Sequence, residues 1–171
     1  MLLILMGRYF FMTSILIVTG LCAGTYGRNA IYADDVTLYQ DTIIRSPNKA
    51  RPFNNLGDAL KKAGRTGEAA PYLERALAIQ PEYPDALNNL ATVYSSMGRR
   101  DAALDLLLTA LRLNPDHLEA RHNLALAYYE SGLIVEAEEQ YRLLMQFAPG
   151  SHEAAFARDM LKMIENRRSS P

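Results

Sequence analysis

The sequence is dominated by an internal repeat with a period of 34 residues. Five columns of identical residues keep this period over three successive segments: Gly64, Gly98 and Gly132; Pro81, Pro115 and Pro149; Leu56, Leu90 and Leu124; Asn55, Asn89 and Asn123; and Ala69, Ala103 and Ala137. A repeat of this length is typical of solenoids, in which each unit buries its apolar face only by stacking on its neighbours. The period therefore predicts a stack of similar units between residues 50 and 151.

Each unit has the pattern of two helices joined by a tight turn. Leu56 and Leu60 have helical spacing, Gly64 favours the left-handed conformation that closes a helix, and Pro81 cannot continue the second helix. The small residues in the columns of Gly57 and Ala69 are expected where the two helices approach closely. The three units are expected at 50–83, 84–117 and 118–151, with first helices near 50–63, 84–97 and 118–131 and second helices near 67–80, 101–114 and 135–148.

These units resemble tetratricopeptide repeats. The resemblance rests on three segments: NNLGDALKKAGRTGEAAPYLERALAIQP, NNLATVYSSMGRRDAALDLLLTALRLNP and HNLALAYYESGLIVEAEEQYRLLMQFAP. It implies an all-α solenoid of helix–turn–helix units whose first helices line a concave, protein-binding face. The early aromatic residue of the family is Phe53 in the first unit, but Leu87 and Arg121 replace it in the others. Because of Arg121, we expect a more open third unit.

Helices that cap the stack are expected at both ends. Residues 28–49 contain a linker and an N-terminal capping helix, Val36–Arg45, which has the phase of a second helix. Residues 152–166 form the C-terminal capping helix, and residues 167–171 form a tail. The C-terminal helix has a polar outer face and an apolar stripe made of Ala157, Met160, Leu161 and Ile164.

The N-terminal segment, residues 1–27, is hydrophobic. Its stretch from Tyr9 to Tyr26 contains 18 residues without a charge, close to the minimum for a membrane-spanning helix. The aromatic residues at its ends favour a retained anchor, whereas the small residues after Cys22 would suit a cleaved signal; a core helix is a third possibility. The bulky Leu21 before Cys22 disfavours lipid attachment.

The position of positive charges gives the expected topology. Arg8 and the amino terminus precede the apolar run, and the single Arg28 soon follows it. Since positive charge near a span favours the cytoplasmic side, the repeats are expected on the extracytoplasmic (periplasmic) side of a membrane. A cleaved signal would leave them soluble in the same compartment.

The join between the two parts carries a second resemblance. The segment RNAIYADDVTLYQDTIIRSPNKARPFNNLG, residues 28–57, is similar to the link before the repeat tail of bacterial membrane proteins related to protein O-mannosyltransferases. In those proteins a large multi-helix part precedes the repeats. The resemblance implies that this chain is an accessory or detached tail of such a glycosyltransferase system.

Several classes of function are disfavoured by the sequence. The net charge of -1 lacks the basic excess of nucleic-acid-binding proteins, and the single cysteine leaves no cysteine-based zinc site. The histidines stand beside no nucleophile, His117 and His122 are poorly spaced for one metal, and the glycines form no phosphate loop. Adjacent carboxylates such as Glu138 and Glu139 are expected on solvated faces. We therefore expect neither catalysis nor a cofactor or metal.

Peptide recognition is the remaining expectation. A residue that repeats every 34 positions on the first helices forms a row along the concave face, and an amide can bind a peptide backbone. An asparagine row of this kind holds peptides in the superhelix of the O-linked N-acetylglucosamine transferase; alternatively, the row bonds within the fold. Asp58 and Asp85 disfavour a clamp for a terminal carboxylate, and His122 is expected to be an ordinary surface histidine. The expected binding residues are Asn55, Asn89, Asn123, Asn54, Asn88, His122, Arg51 and Asp85.

Three functions remain open from the sequence. The first is a membrane-tethered scaffold that binds a protein or peptide in the concave groove. The second is the accessory glycosyltransferase tail, which a multi-helix enzyme encoded nearby would favour. The third is a structural part of an envelope assembly, which a stoichiometric complex would favour.

Overall fold

A computed structural model describes residues 35–169, which form eight α-helices and no strand. The hydrophobic segment predicted at residues 1–27 lies outside the described residues. In chain order the helices are α1 (Asp35–Arg45), α2 (Ala50–Lys62), α3 (Thr66–Ile79), α4 (Pro84–Ser96), α5 (Arg100–Leu113), α6 (Leu118–Glu130), α7 (Ile134–Phe147) and α8 (His152–Ser169). The bounds predicted for α2 to α7 are confirmed to within one residue.

The periodic glycines end the first helix of each unit. Gly64, Gly98 and Gly132 have φ angles of 74°, 77° and 78°, in the left-handed region that disfavours other residues. After the first of them, the amide of Arg65 donates to the carbonyl of Leu60 at 2.9 Å, and the same bond recurs in the next two units. This pattern satisfies a carbonyl at the helix end and reverses the chain direction.

The periodic prolines define the ends of the second helices. Each helix stops two residues before Pro81, Pro115 or Pro149. The residues between, Gln80 and Asn114, are extended, with φ angles of -134° and -136°. A proline ring disfavours the helical conformation of the residue before it, which explains the extended backbone at these positions.

The two helices of a unit pack closely through small residues. Ala69, Ala103 and Ala137 are fully buried, as are Leu56 and Leu73. A Cβ atom added to Gly57 would lie 2.5 Å from Cγ of Leu73, so the glycine allows the closest approach of α2 and α3. The prediction of close contact at these columns is confirmed.

The packing between units makes the first helices the inner layer of the solenoid. α2 contacts α4, α4 contacts α6, and α6 contacts α8, in addition to the contacts within and between adjacent pairs. No comparable contact joins successive second helices in the described part of the chain. The first helices therefore lie closer together and line a concave face.

Both ends of the stack are covered by single helices. α1 packs on α2, with Val36 buried, and α8 packs on α6 and α7 through Ala157 and Ile164, which are buried, and through Met160 and Leu161. The predicted tail begins too early, because α8 continues through Ser169. Nη1 of Arg168 lies 2.8 Å from a carboxylate oxygen of Glu138 on α7, and this ion pair holds the last turn of α8 to the stack.

The prediction of an open third unit is wrong. Arg121 is only 8% exposed, and its guanidinium donates to the carbonyl of Pro115 and, at 3.0 Å, to Oε1 of Gln140. The same group lies 5.1 Å from the centre of the Phe147 ring. The long side chain thus fills the place of an aromatic residue while its charged end finds acceptors at the edge of the unit.

The prediction of a solvated Glu138 is also wrong. Glu138 is 7% exposed and lies between Arg142, at 3.0 Å, and Arg168. Its neighbour Glu139 is exposed, because adjacent residues of a helix face different directions.

Among residues 35–169, no helix combines the length and the apolar character needed to cross a bilayer.

Candidate functional site

Side-chain amides link the first helices across the concave face. Nδ2 of Asn89 on α4 donates to Oδ1 of Asn54 on α2 at 3.0 Å, and Nζ of Lys61 donates to Oδ1 of Asn89 at 2.6 Å. Asn89 is 7% exposed. Both the nitrogen and the oxygen of the Asn89 side chain therefore have partners inside the protein, whereas a row of asparagines that binds a peptide backbone would leave these atoms open to the groove.

The same link recurs one unit further along. Nδ2 of Asn123 on α6 donates to Oδ1 of Asn88 on α4 at 2.8 Å and to Oγ1 of Thr92 at 3.3 Å. Asn89 and Asn123, which belong to the column of Asn55, thus each bond to the residue that occupies the position of Asn54 in the preceding unit, namely Asn54 and Asn88. Asn55, which has no preceding first helix in the described chain, is half-buried and accepts a 3.5 Å bond from Asn54.

The direction of these bonds is fixed by groups that cannot be reversed. The Lys61 ammonium can only donate, so the group of Asn89 that faces it must be the oxygen. The Thr92 hydroxyl donates to the carbonyl of Asn88, so its oxygen accepts from the nitrogen of Asn123. Oδ1 of Asn88 is consequently the acceptor for Asn123, and Nδ2 of Asn88 has no hydrogen-bond partner among the described residues.

A cavity of about 290 Å³, the polar cavity, lies in front of this unpaired donor. Asn88, which is 1% exposed, contributes to its wall together with Asn54 and Asn89. Lys61 and Lys62 lie 3.0 and 2.7 Å from the Asp58 carboxylate in the same wall. Burial opposes ionisation of Asp58, but hydrogen bonds from the two lysines outweigh it and hold the pKa of its carboxyl below the usual value.

The opposite side of the polar cavity carries Asp85, Glu119 and His117. His117 precedes α6 as its N-cap, and its Nδ1 accepts from the amide of Ala120 at 3.3 Å. Its Nε2 lies 3.2 Å from Oδ1 of Asp85, without the alignment of a hydrogen bond. The ring is thereby fixed between two units, at the boundary where α4 meets α6.

A second cavity, the apolar cavity, adjoins the link between Asn123 and Thr92. It has a volume of about 300 Å³ and lies between α4 and α6. Ala91, Leu107, Leu126 and Ala127 form its apolar surface, and Ser95 and Glu130 lie at its polar side. The concave face therefore offers one polar and one apolar recess, separated by the Asn88–Asn123 pair.

The structure places the eight expected binding residues in different environments. Asn54, Asn88, Asn89 and Asp85 meet at the polar cavity, and Asn123 lines the apolar cavity. Arg51 is exposed in the first turn of α2.

The expectation of an ordinary surface histidine at His122 is wrong. Its ring packs edge-on against Phe156 of α8 at 4.7 Å between centroids, and its Nδ1 is buried without a partner. Burial, aided by the charge of His152, lowers its pKa, although Glu153 and Glu119 act in the opposite direction.

Sequence reasoning missed several residues of this surface. His117 is not among the expected binding residues, although its position directly before α6 is that of a helix N-cap. Leu126 and Glu130, which line the apolar cavity, are also absent from the expected binding residues, and Leu107, a buried core residue, reaches the same cavity from α5. No group of three or more potential metal ligands gathers anywhere in residues 35–169.

Comparison with known proteins identifies the repeat. A family model described as tetratricopeptide repeat matches residues 60–116 and 98–158, more than half of the chain. A thermophilic TPR protein of Thermus thermophilus, TTC0263, is 25% identical; the match covers 74% of this chain and 71% of that one, with a TM-score of 0.66.

Two further solved structures share the fold. The first TPR of Spaghetti (RPAP3) bound to the HSP90 peptide SRMEEVD is 22% identical, with 71% of this chain and 94% of that chain covered and a TM-score of 0.65. YrrB, a TPR protein with an unusual peptide-binding site, is 20% identical, with 80% and 70% covered and the same TM-score. A search of curated proteins finds no match to the sequence.

Proposed function

This chain belongs to the tetratricopeptide repeat family, and from that premise we propose that it is a non-enzymatic scaffold that binds a partner peptide in its concave groove. The observation that carries the proposal is the amide nitrogen of Asn88, which has no hydrogen-bond partner among the described residues and belongs to a 1% exposed residue in the wall of an open cavity. A carbonyl of a bound peptide can accept from this nitrogen, whose direction is fixed because Oδ1 of the same amide accepts from Asn123.

The expected binding residues divide into two roles. Asn88, Asn123 and Asn55 contact the peptide, because each retains an amide atom without a partner among the described residues, and Asp85 lies beside them at the rim. Asn54 and Asn89 hold the neighbouring units in register and so fix the direction in which the other amides point. In this proposal His122 and Arg51 make no peptide contact.

Two of the structural neighbours favour a peptide over a folded partner. One of them is bound to an HSP90 peptide and another has a peptide-binding site. The short groove supports the same choice, because among the described helices α2, α4 and α6 line it and α8 closes its end on α6, and such a surface suits an extended segment or a single helix.

Photocrosslinking in cells tests the groove. A photoreactive residue in place of Ser95, at the apolar cavity, should crosslink to a specific partner protein. The same residue in place of Asp105, which is exposed on the second helix α5, serves as the control. Equal labelling from both positions, or none from position 95, would contradict the proposal.

The N-terminal segment carries a separate proposal on location. We propose that residues 1–27 tether the repeats to a membrane on its extracytoplasmic side, on the strength of the uncharged stretch Tyr9–Tyr26 and the position of Arg8. Protease added to intact spheroplasts should degrade the repeats. Repeats that are protected until lysis would reverse the topology, and a soluble, shortened chain would replace the anchor by a cleaved signal.

The alternative function, an accessory tail of a glycosyltransferase related to protein O-mannosyltransferases, is supported by the sequence of residues 28–57 alone. In that case the crosslinked partner would be a multi-helix membrane enzyme. Recovery of a water-soluble partner protein instead would exclude it.

A further inference from the structure

The charges of the polar cavity are not balanced across its two sides. On the side of α2, Asp58 is already paired with Lys61 and Lys62. On the opposite side, no lysine or arginine among residues 35–169 lies within ion-pair distance of Asp85 or Glu119. Nε2 of His117 lies 3.2 Å from Asp85, whose side chain is 63% exposed, and Glu119 acts on Lys62 only from beyond ion-pair distance. Two carboxylates at the N-terminal ends of α4 and α6 are thus available to a cation from outside.

The unpaired donor of Asn88 offers a ligand a hydrogen bond at a position between these carboxylates and the apolar cavity. Asn88 lines the same polar cavity as Asp85 and Glu119, and it bonds to Asn123, which lines the apolar cavity. A ligand that accepts a hydrogen bond from Asn88 would have carboxylates on one side and Leu107 and Leu126 on the other. An acceptor flanked by a basic and an apolar group would match these surroundings.

An extended peptide can supply these three groups together. Its backbone carbonyls are acceptors, and every second side chain points to the same side. Two side chains separated by one residue are about 7 Å apart, and the lining residues Asn88 of one cavity and Asn123 of the other are joined by a 2.8 Å hydrogen bond. Building on the proposed function, we propose that the groove selects a peptide in which a lysine or arginine lies two residues from an aliphatic side chain.

In the proposed complex each group has a defined place. The main-chain carbonyl accepts from Nδ2 of Asn88, the basic side chain lies beside Asp85 and Glu119, and the aliphatic side chain enters the apolar cavity. The preference opposes that of a groove for acidic carboxyl-terminal peptides, because Asp85 and Glu119 repel carboxylates.

Two synthetic peptides test the selection. Both are acetylated and amidated, with a central leucine between glycines; one carries lysine and the other glutamate outside these glycines. The ¹⁵N-labelled full chain is titrated with each peptide, and the side-chain amide resonances of its asparagines are followed. The lysine peptide should shift the Asn88 resonance and bind about fivefold more tightly, the scale of two exposed ion pairs.

Variants show whether the two carboxylates cause the preference. Asp85→Lys combined with Glu119→Lys should remove or invert it, and Asp85→Asn with Glu119→Gln should remove it if the charge reversal impairs folding. Asp101→Lys is the matched control, since Asp101 is also an exposed acidic residue in the first turn of a helix, α5.

The outcomes separate the two proposals. Equal binding of both peptides with a shift at Asn88, or a preference that survives in the variants, would overturn the charge selection and leave the groove as a peptide site. Tighter binding of the glutamate peptide would do the same. Binding of neither peptide, without any change at Asn88, would contradict the charge selection, whereas the proposed function would fall only if the crosslinking at position 95 also failed.

Discussion

The side-chain amide of Asn89 donates a 3.0 Å hydrogen bond to Oδ1 of Asn54, which lies 35 residues earlier in the chain and one unit earlier in the stack. Oδ1 of Asn89 also accepts from Lys61. Because the residue is buried, its loss would leave Oδ1 of Asn54 without this donor, whereas Lys61 would keep its ion pair with Asp58. The bond therefore belongs to the interface between two units as much as to the groove.

We expect Asn89→Ala to lower the free energy of unfolding by about 1–3 kcal/mol, the cost of unpaired buried polar groups. Urea unfolding followed by circular dichroism measures it. Asn55→Ala is the matched control in the same column, since its one described bond is a long 3.5 Å contact, and it should change stability little. Equal stability of the Asn89 variant and the wild type would show that the link between units is weak.

Replacing Gly57 by alanine is expected to destabilise the protein, whereas the same replacement at Gly67 is expected to stabilise it slightly. The added Cβ of Gly57→Ala would lie 2.5 Å from Leu73, so the core must shift at a cost of about 1–3 kcal/mol. Gly67 lies in α3 with no atom within 4 Å of an added Cβ, and Gly67→Ala should stabilise by about 0.5 kcal/mol. Thermal melting of both variants checks the pair; a more stable Gly57→Ala variant would place α2 further from α3.

His122 should make the stack sensitive to mild acid. Burial lowers the pKa of its imidazole in the folded state, so the unfolded chain takes up the proton first as the pH falls below about 6.5. The stability that the neutral ring contributes is present above this pH and is lost below it. The wild type should therefore lose stability between pH 6.5 and 5 relative to His122→Asn, which has the residue of the other two units at this position.

Carboxyl groups of the unfolded chain titrate mostly near pH 4, below this window. Chemical unfolding at a series of pH values gives the difference between the two proteins. If the two stability curves stay parallel from pH 7 to 5, the ring of His122 is accessible to water and α8 does not cover it.

Tyr141 should have the opposite dependence, at alkaline pH. Burial, followed by the effects of Tyr129 and Glu130, raises the pKa of its phenol to about 12, and its hydroxyl has no partner among the described residues. Below pH 10 both states keep the proton; above it the unfolded chain ionises first, and stability falls until about pH 12. Tyr141→Phe should lose less stability over this range than the wild type, whereas the loss from Tyr83, Tyr94 and Tyr128, whose pKa values burial also raises, is common to both proteins.

At neutral pH the same variant should be more stable than the wild type by about 1 kcal/mol, because a buried hydroxyl without a partner is removed. Differential scanning calorimetry at pH 7 and pH 11 measures both effects. A less stable Tyr141→Phe protein at pH 7 would mean that the hydroxyl is hydrogen-bonded, for example to a buried water.

The sequence by itself determined the architecture because its signals are local to the backbone. Gly64 has a positive φ that disfavours other residues, and Pro81 disfavours a helical conformation of the residue before it, and both preferences act within the local backbone. Their recurrence at a fixed period then defines equal helices that must stack to bury Leu56 and its equivalents. For the same reason α1 and the apolar stripe of α8 could be placed from pattern alone.

Only the tertiary structure decided what the polar side chains do. Asn89 bonds 35 residues away and Arg121 bonds to Gln140, 19 residues away, so their partners depend on how neighbouring units pack. Glu138 is buried because α8 continues to Arg168, and His122 is covered by Phe156. A periodic residue tells which face of a helix it lies on, but the free energy of a polar group depends on what it meets there.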